Sequence, residues 1–172
     1  MYLDLFQLTM TAAEYCKGLN KKIFTSEAFI RKLPPERKFL VVAGISYIRD
    51  YLLNLKFSKD DIKQVKELFP LKEIFATTNF EKFLEDFRFT GSMKALAEGE
   101  IAFAGEPLVQ ITGTLPEIHF AETFLLSTLN HSIGVASKAS RIVLASRGRS
   151  LIDFGARYIH PDASLSMSCS AY

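Results

Sequence analysis

The 172 residues contain no tryptophan and only two cysteines, Cys16 and Cys169. These stand far apart and form no metal-spaced pair, so no disulfide framework or cysteine-based metal centre is expected. Two reduced thiols suit a cytoplasmic protein. No basic-then-apolar leader opens the chain, and no apolar run approaches the roughly 20 residues of a membrane helix. The net charge is only +2 and no Lys/Arg block occurs, which gives no footing for nucleic acid or a membrane surface. No glycine-rich phosphate loop is readable, nor any Ser/His/Asp or Cys/His set.

What is present is ordinary globular composition, 48% hydrophobic and 23% charged, with fifteen Phe to fill a core. The length suits one domain, or one and the beginning of another. Leu5, Leu8, Ala12, Tyr15 and Cys16 keep near-helical spacing within Leu3 to Lys17, and Gly18 suits a C-terminal stop. Phe24 to Arg31 alternates with apolar groups on both faces, which predicts a sandwiched strand. Leu33-Pro34-Pro35 ends it. Phe39 to Leu53 is apolar at helical spacing. Ser58-Lys59-Asp60-Asp61 opens a helix that runs to about Phe69, and Asn79 to Asp86 makes another.

After Phe87 the texture changes. Met93 to Ala97, Ile101 to Ala104 and Leu108 to Thr112 are short apolar stretches divided by glycine turns, which predicts a small antiparallel sheet. A long helical pattern starts near Pro116, with Glu117 in its first turn, and Gly134 is a candidate interruption. Arg147-Gly148-Arg149 closes it. Leu151 to Phe154 then reads as a short buried strand, and Pro161 to Tyr172 as a Ser-rich tail without periodicity.

Several segments in order resemble the nicotinate phosphoribosyltransferases. Leu3-Asp4-Leu5-Phe6-Gln7-Leu8-Thr9-Met10 is similar to the family's T-D-L-Y-Q-L-T-M, and Phe29 to Pro34 to its F-x-R-K-L-P. Phe87-Arg88-Phe89-Thr90-Gly91 resembles F-x-F-T-G. Glu98-Gly99, Glu106-Pro107 and Gly113-Thr114-Leu115 follow as E-G, E-P and G-x-L. Glu122 to Asn130 resembles E-T-x-L-L-N-x-x-N, Ala136 to Arg141 A-T-K-A-A-R, and Asp153 to Arg157 E-F-G-x-R. No single motif is specific; their collinearity is.

The resemblance implies a type II phosphoribosyltransferase: an α+β N-terminal sandwich domain, here residues 1–125, followed by the start of an incomplete α/β barrel, residues 126–172. It implies a dimer with the site at the subunit interface. The implied reaction joins nicotinate to phosphoribosyl pyrophosphate, coupled to ATP and Mg through a phosphorylated histidine, in NAD salvage. The remaining barrel strands, with their phosphate loop and that histidine, lie outside these residues. The expectation is therefore an N-terminal portion from a truncated or split reading frame, inactive by itself and pairing with itself or with a C-terminal portion.

Such a reaction must hold two anions in line with a sugar carbon that gains positive charge, which is positioning and electrostatic work. Arginine suits it, because its planar fork matches carboxylate and phosphate. Arg157, with Gly155 and Ala156 beside it, is the leading substrate-binding candidate; the alternative is a solvated or salt-bridged arginine. Phe6 stands where the family has a tyrosine that reaches the partner subunit's nicotinate, and Asp4 matches the neighbouring aspartate. Their alternatives are a core aromatic and a first-turn helix charge.

Two cations of the family pattern are replaced, by Tyr158 and by Cys169, and the glycine between His160 and Pro161 is missing. That should weaken anion binding. His119 and His131 are expected on a helix surface or interface, and His160 on a loop surface. Glu98, Glu100 and Glu106 are expected to be solvated turn acids. A non-catalytic dimerisation module, a decayed remnant, and quinolinate or nicotinamide relatives of the same fold remain open alternatives.

Overall fold

The computed structural model describes residues 2–172, side chains excepted at positions 162, 164 and 165. Its element order is α1 (Leu5–Cys16), β1 (Ile23–Phe29), β2 (Leu40–Val41), α2 (Ile45–Leu53), α3 (Lys59–Lys66), α4 (Lys72–Thr77) and α5 (Phe80–Asp86). Then come β3 (Ser92–Ala95), β4 (Ile101–Ala102), β5 (Pro107–Thr114), α6 (Leu115–Ser146), a 3-10 turn (Gly155–Tyr158) and α7 (Pro161–Ala171). Three strands form a sheet in the order β1-β5-β3. The strands β2 and β4 form an antiparallel pair, with Leu40 opposite Ala102 and Val41 opposite Ile101.

The chain divides into two compact units. The first draws on the N-terminal stretch through Ser26, on Arg49–Met93 and on Ile111–Leu125; the second on Glu27–Ile48, Lys94–Gln110 and Leu126–Tyr172. The core of the first is aromatic. Phe120, fully buried on α6, meets Phe87 edge-on at 4.8 Å and Phe57 at 5.0 Å between ring centroids. Edge-to-face rings add about 0.5–1.5 kcal/mol per pair beyond area burial. The core of the second is aliphatic: Leu40, Val42, Ile48, Ala102, Leu108 and Val109 pack in one unit with Leu129, Ile133 and Ala136.

Local signals place several ends. The Ser58 hydroxyl accepts from the Asp61 amide at 3.1 Å, and the Asp61 carboxylate accepts from the Ser58 amide at 2.8 Å. This reciprocal capping box starts α3. Gly18 follows α1 at φ +68°, a left-handed conformation that a helix cannot continue. Gly134 does not interrupt α6; one glycine costs only about 1 kcal/mol in a 32-residue helix that packing holds.

Four expectations are corrected. Phe39 to Leu53 is not one helix. Leu40–Val41 pairs with β4, and Gly44 at φ +96° separates that strand from α2. The strand β1 is not sandwiched: of its residues only Ala28 is even half-buried. It lies at the edge of its sheet, and alternation alone cannot say whether a face is covered. Leu151 to Phe154 forms no strand, because no described strand pairs with it. The Ser-rich tail is helix α7, which starts at Pro161, where a fixed φ favours the first turn. The Ser170 hydroxyl donates to the Ser166 carbonyl at 2.8 Å, a local bond that lets a serine stand in a helix without apolar periodicity. The short helix α4 was not anticipated.

Candidate functional site

In the first unit, Asp4 is the N-cap of α1, with extended backbone at φ −76° and ψ 142°. Its carboxylate makes no cap bond. Instead it accepts from the Thr123 hydroxyl on α6 at 3.1 Å, and its own amide donates to that oxygen at 3.4 Å. Asp4 thus ties the start of α1 to α6. Phe6, in the first turn of α1, is 65% exposed, so it is not a core aromatic. The buried face of α1 is partly polar: Gln7 donates to Glu122 at 3.3 Å, and His119 meets Glu14 at 3.0 Å. His119 is therefore buried rather than on a helix surface, because its neighbour across the seam is a carboxylate.

The segment Phe87-Arg88-Phe89-Thr90-Gly91 is held by a residue that the sequence marked only as a first-turn acid. Glu117 is 3% exposed. One carboxylate oxygen accepts from the amides of Thr90 and Gly91 and from the Thr90 hydroxyl. The other accepts from the Thr114 amide at 2.6 Å and its hydroxyl at 2.8 Å. Burial alone would push this carboxyl up, but the hydrogen bonds from Thr90 and Thr114 outweigh it and hold it below the usual carboxylate range. The legible signal was Thr114-x-x-Glu117, the capping-box spacing before a helix.

In the second unit, Gly155, Ala156 and Arg157 share the 3-10 turn. The Gly155 amide donates to the Asp153 carboxylate at 2.8 Å. A Cβ at Gly155 would stand 3.0 Å from that oxygen and 3.0 Å from the Met167 methyl, so a larger residue would make both side chains give by a few tenths of an ångström. Arg157 is exposed. Its guanidinium lies 5.0 Å over the Phe154 ring, and it makes no ion pair among the described residues. Tyr158 is 84% exposed beside it. The candidate residues thus fall into two groups, Asp4 and Phe6 in one unit, Gly155, Ala156 and Arg157 in the other.

The turn acids Glu98, Glu100 and Glu106 are exposed, as expected, and each also accepts hydrogen bonds from the backbone. Glu98 accepts from the amides of Gly44 and Ser46, both at 3.0 Å, and so caps α2. Glu100 accepts from the Ala97 amide at 3.0 Å and Glu106 from the Phe103 amide at 2.8 Å. Tight glycine turns bring these carboxylates back onto the backbone, which sequence spacing does not show. The Cys169 thiol on α7 neighbours Tyr47 and, together with burial, pushes the Tyr47 hydroxyl above its usual pKa. His131 is half-buried, and His160 is exposed immediately before α7.

The sequence profile described as nicotinate phosphoribosyltransferase (NAPRTase) N-terminal domain matches residues 1–130. The chain belongs to the nicotinate phosphoribosyltransferase family. It is 33% identical to a Mycobacterium tuberculosis protein named nicotinate phosphoribosyltransferase pncB2, over all of this chain and 36% of that one. The crystal structure of human nicotinic acid phosphoribosyltransferase superposes with a TM-score of 0.88 at 26% identity, covering 100% of this chain and 34% of the human one. A nicotinate-nucleotide pyrophosphorylase from Pyrococcus furiosus shares the fold at a TM-score of 0.74 and 20% identity, covering 99% of this chain and 35% of that one. The chain therefore spans about a third of the length of the relatives it matches.

Within this family frame the fold is the mixed α/β of type II phosphoribosyltransferases. Glu117 anchors the segment that resembles the family's F-x-F-T-G. No helix of the described residues is long and apolar enough to cross a membrane.

Proposed function

We propose that this chain serves nicotinate phosphoribosyltransfer, joining nicotinate to phosphoribosyl pyrophosphate in cytoplasmic NAD salvage. In this reading residues 1–125 are the sandwich domain and 126–172 the beginning of the barrel, in a dimer or in a pairing with further barrel strands that these 172 residues do not contain. Arg157 carries the reading. An exposed guanidinium without an acid partner, oriented by a ring contact at 5.0 Å, is an open fork for a carboxylate or phosphate. The ring contact contributes about 0.5–1 kcal/mol toward keeping the fork in place. Gly155 and Ala156 leave the turn small enough for a ligand to approach. Phe6 supplies an exposed aromatic face, and Asp4 fixes the helix start that presents it.

ATP and Mg enter only through the family. No cluster of three His, Cys, Asp or Glu side chains able to hold a metal occurs among the described residues. Titration calorimetry of the full chain with nicotinate tests the reading. Binding by the wild type that disappears in Arg157→Ala is the expected result. Absence of binding by the intact chain overturns the retained anion site and favours the non-catalytic dimerisation module, which the replacements at Tyr158 and Cys169 also suit.

A further inference from the structure

The first unit contains an open cavity of about 470 Å³, well away in sequence from Arg157. Its volume lies within the range of roughly 300–1,000 Å³ typical of small-molecule sites. Its walls bring together three kinds of group. Tyr15 and Phe83 supply aromatic faces, with ring centroids 5.0 Å apart. Asn20 and Asn79 supply amides that make no side-chain hydrogen bond among the described residues; Asn79 even stands at the N-cap of α5 without capping it. Lys21 and Arg88 supply positive charge.

Which charges are free decides the preference. Lys82, also at the cavity, is neutralised by Asp86 at 2.8 Å. The Glu117 carboxylate at the wall already accepts from five donors. Lys21 and Arg88 have no acid partner among the described residues. Arg88 is held in place by its Nη1, which donates to the Glu85 carbonyl at 3.1 Å and the Phe87 carbonyl at 2.5 Å. Its Nε and Nη2 make no hydrogen bond among the described residues. The cavity therefore offers net positive charge, two aromatic rings tilted 39° to each other and unused amides within one compact unit.

We infer that this cavity is a second ligand site, suited to a purine nucleoside monophosphate. A base stacks on Tyr15 or Phe83, as bases do on aromatic platforms. Asn20 and Asn79 each carry both a donor and an acceptor, the pairing that reads a purine edge. Lys21 and Arg88 meet the phosphate, Arg88 through its remaining fork nitrogens. No bond is made or broken; the site is one of recognition. Its residues belong to the first unit, and Arg157 to the second.

The test is titration calorimetry of the full chain with AMP, with adenosine and inorganic phosphate as half-ligands. AMP is expected to bind more tightly than either half. Lys21→Ala and Arg88→Gln are each expected to weaken it roughly tenfold, the loss of about one charge-assisted hydrogen bond. Lys21 is exposed and unpaired, so Lys21→Ala keeps the fold, which circular dichroism checks. Arg157→Ala should leave AMP binding unchanged, and Lys21→Ala should leave nicotinate binding unchanged, so the two readings fail separately. No AMP binding at millimolar concentration, AMP binding no tighter than that of adenosine and phosphate, or wild-type affinity in Lys21→Ala, overturns the inference.

Discussion

Replacing Glu117 by Gln removes one charge while keeping the shape of the side chain. In the native protein both carboxylate oxygens accept, three donors on one and two on the other. A glutamine has one oxygen. Its amide nitrogen must face either the Thr90 and Gly91 amides or the Thr114 amide, and a donor then meets a donor. The hydroxyls can rotate to accept; the backbone amides cannot. At least one buried amide is left without an acceptor, at about 1–3 kcal/mol, and the remaining bonds lose their charge assistance. The expected destabilisation is about 2–3 kcal/mol. For a chain of this size that lowers Tm by roughly 4–12 °C.

The dependence on pH gives a second check. Hydrogen bonds hold the folded-state pKa of Glu117 below its usual 4.5. Its contribution is therefore fully present above that value and is lost as pH falls through the folded pKa. The gap between wild type and Glu117→Gln should be constant from pH 6 to 7 and should narrow below about pH 4. Urea unfolding followed by circular dichroism at several pH values measures both effects. A Glu117→Gln chain within about 0.5 kcal/mol of wild type at pH 7, or a gap that widens in acid, would refute the clamp.

Substitutions at two further positions address the fold. Gly44→Ala should destabilise by about 3 kcal/mol or more in urea unfolding, since the residue sits at φ +96° and a Cβ would lie 2.8 Å from the Ser132 hydroxyl. A loss under about 1 kcal/mol would mean that α6 yields there easily. Ser58→Ala should cost about 1 kcal/mol through the cap of α3, and Ser58→Gly only a few tenths. Burial alone would raise the Asp61 carboxyl, but hydrogen bonds led by those from Ser58 hold it down, so Ser58→Ala should also raise its titration midpoint in NMR.

Much of the helical framework was legible because its signals are local. Ser58 and Asp61 cap α3 within one turn, Gly18 stops α1, and Arg147 at φ +50° with Gly148 at φ +81° ends α6 where the basic stop was read. The family was legible too, because motif order survives where no single motif is specific. What failed needed partners distant in the chain. An apolar stretch such as Leu151 to Phe154 becomes a strand only when another strand offers its hydrogen bonds. The break in Phe39 to Leu53 depends on pairing with Ile101–Ala102, about sixty residues on.

The sequence alone thus determined the family, the capped helices and the identity of Arg157 as a candidate anion contact. Only the tertiary structure decided what each charge faces. It left Arg157 exposed over Phe154, and it buried Glu117 beneath amides from two separate segments. It paired His119 with Glu14, and it left Lys21 and Arg88 unneutralised around one cavity. The reason is physical. A cap or a stop is settled within a turn of chain, whereas burial and charge compensation depend on segments that meet only after folding.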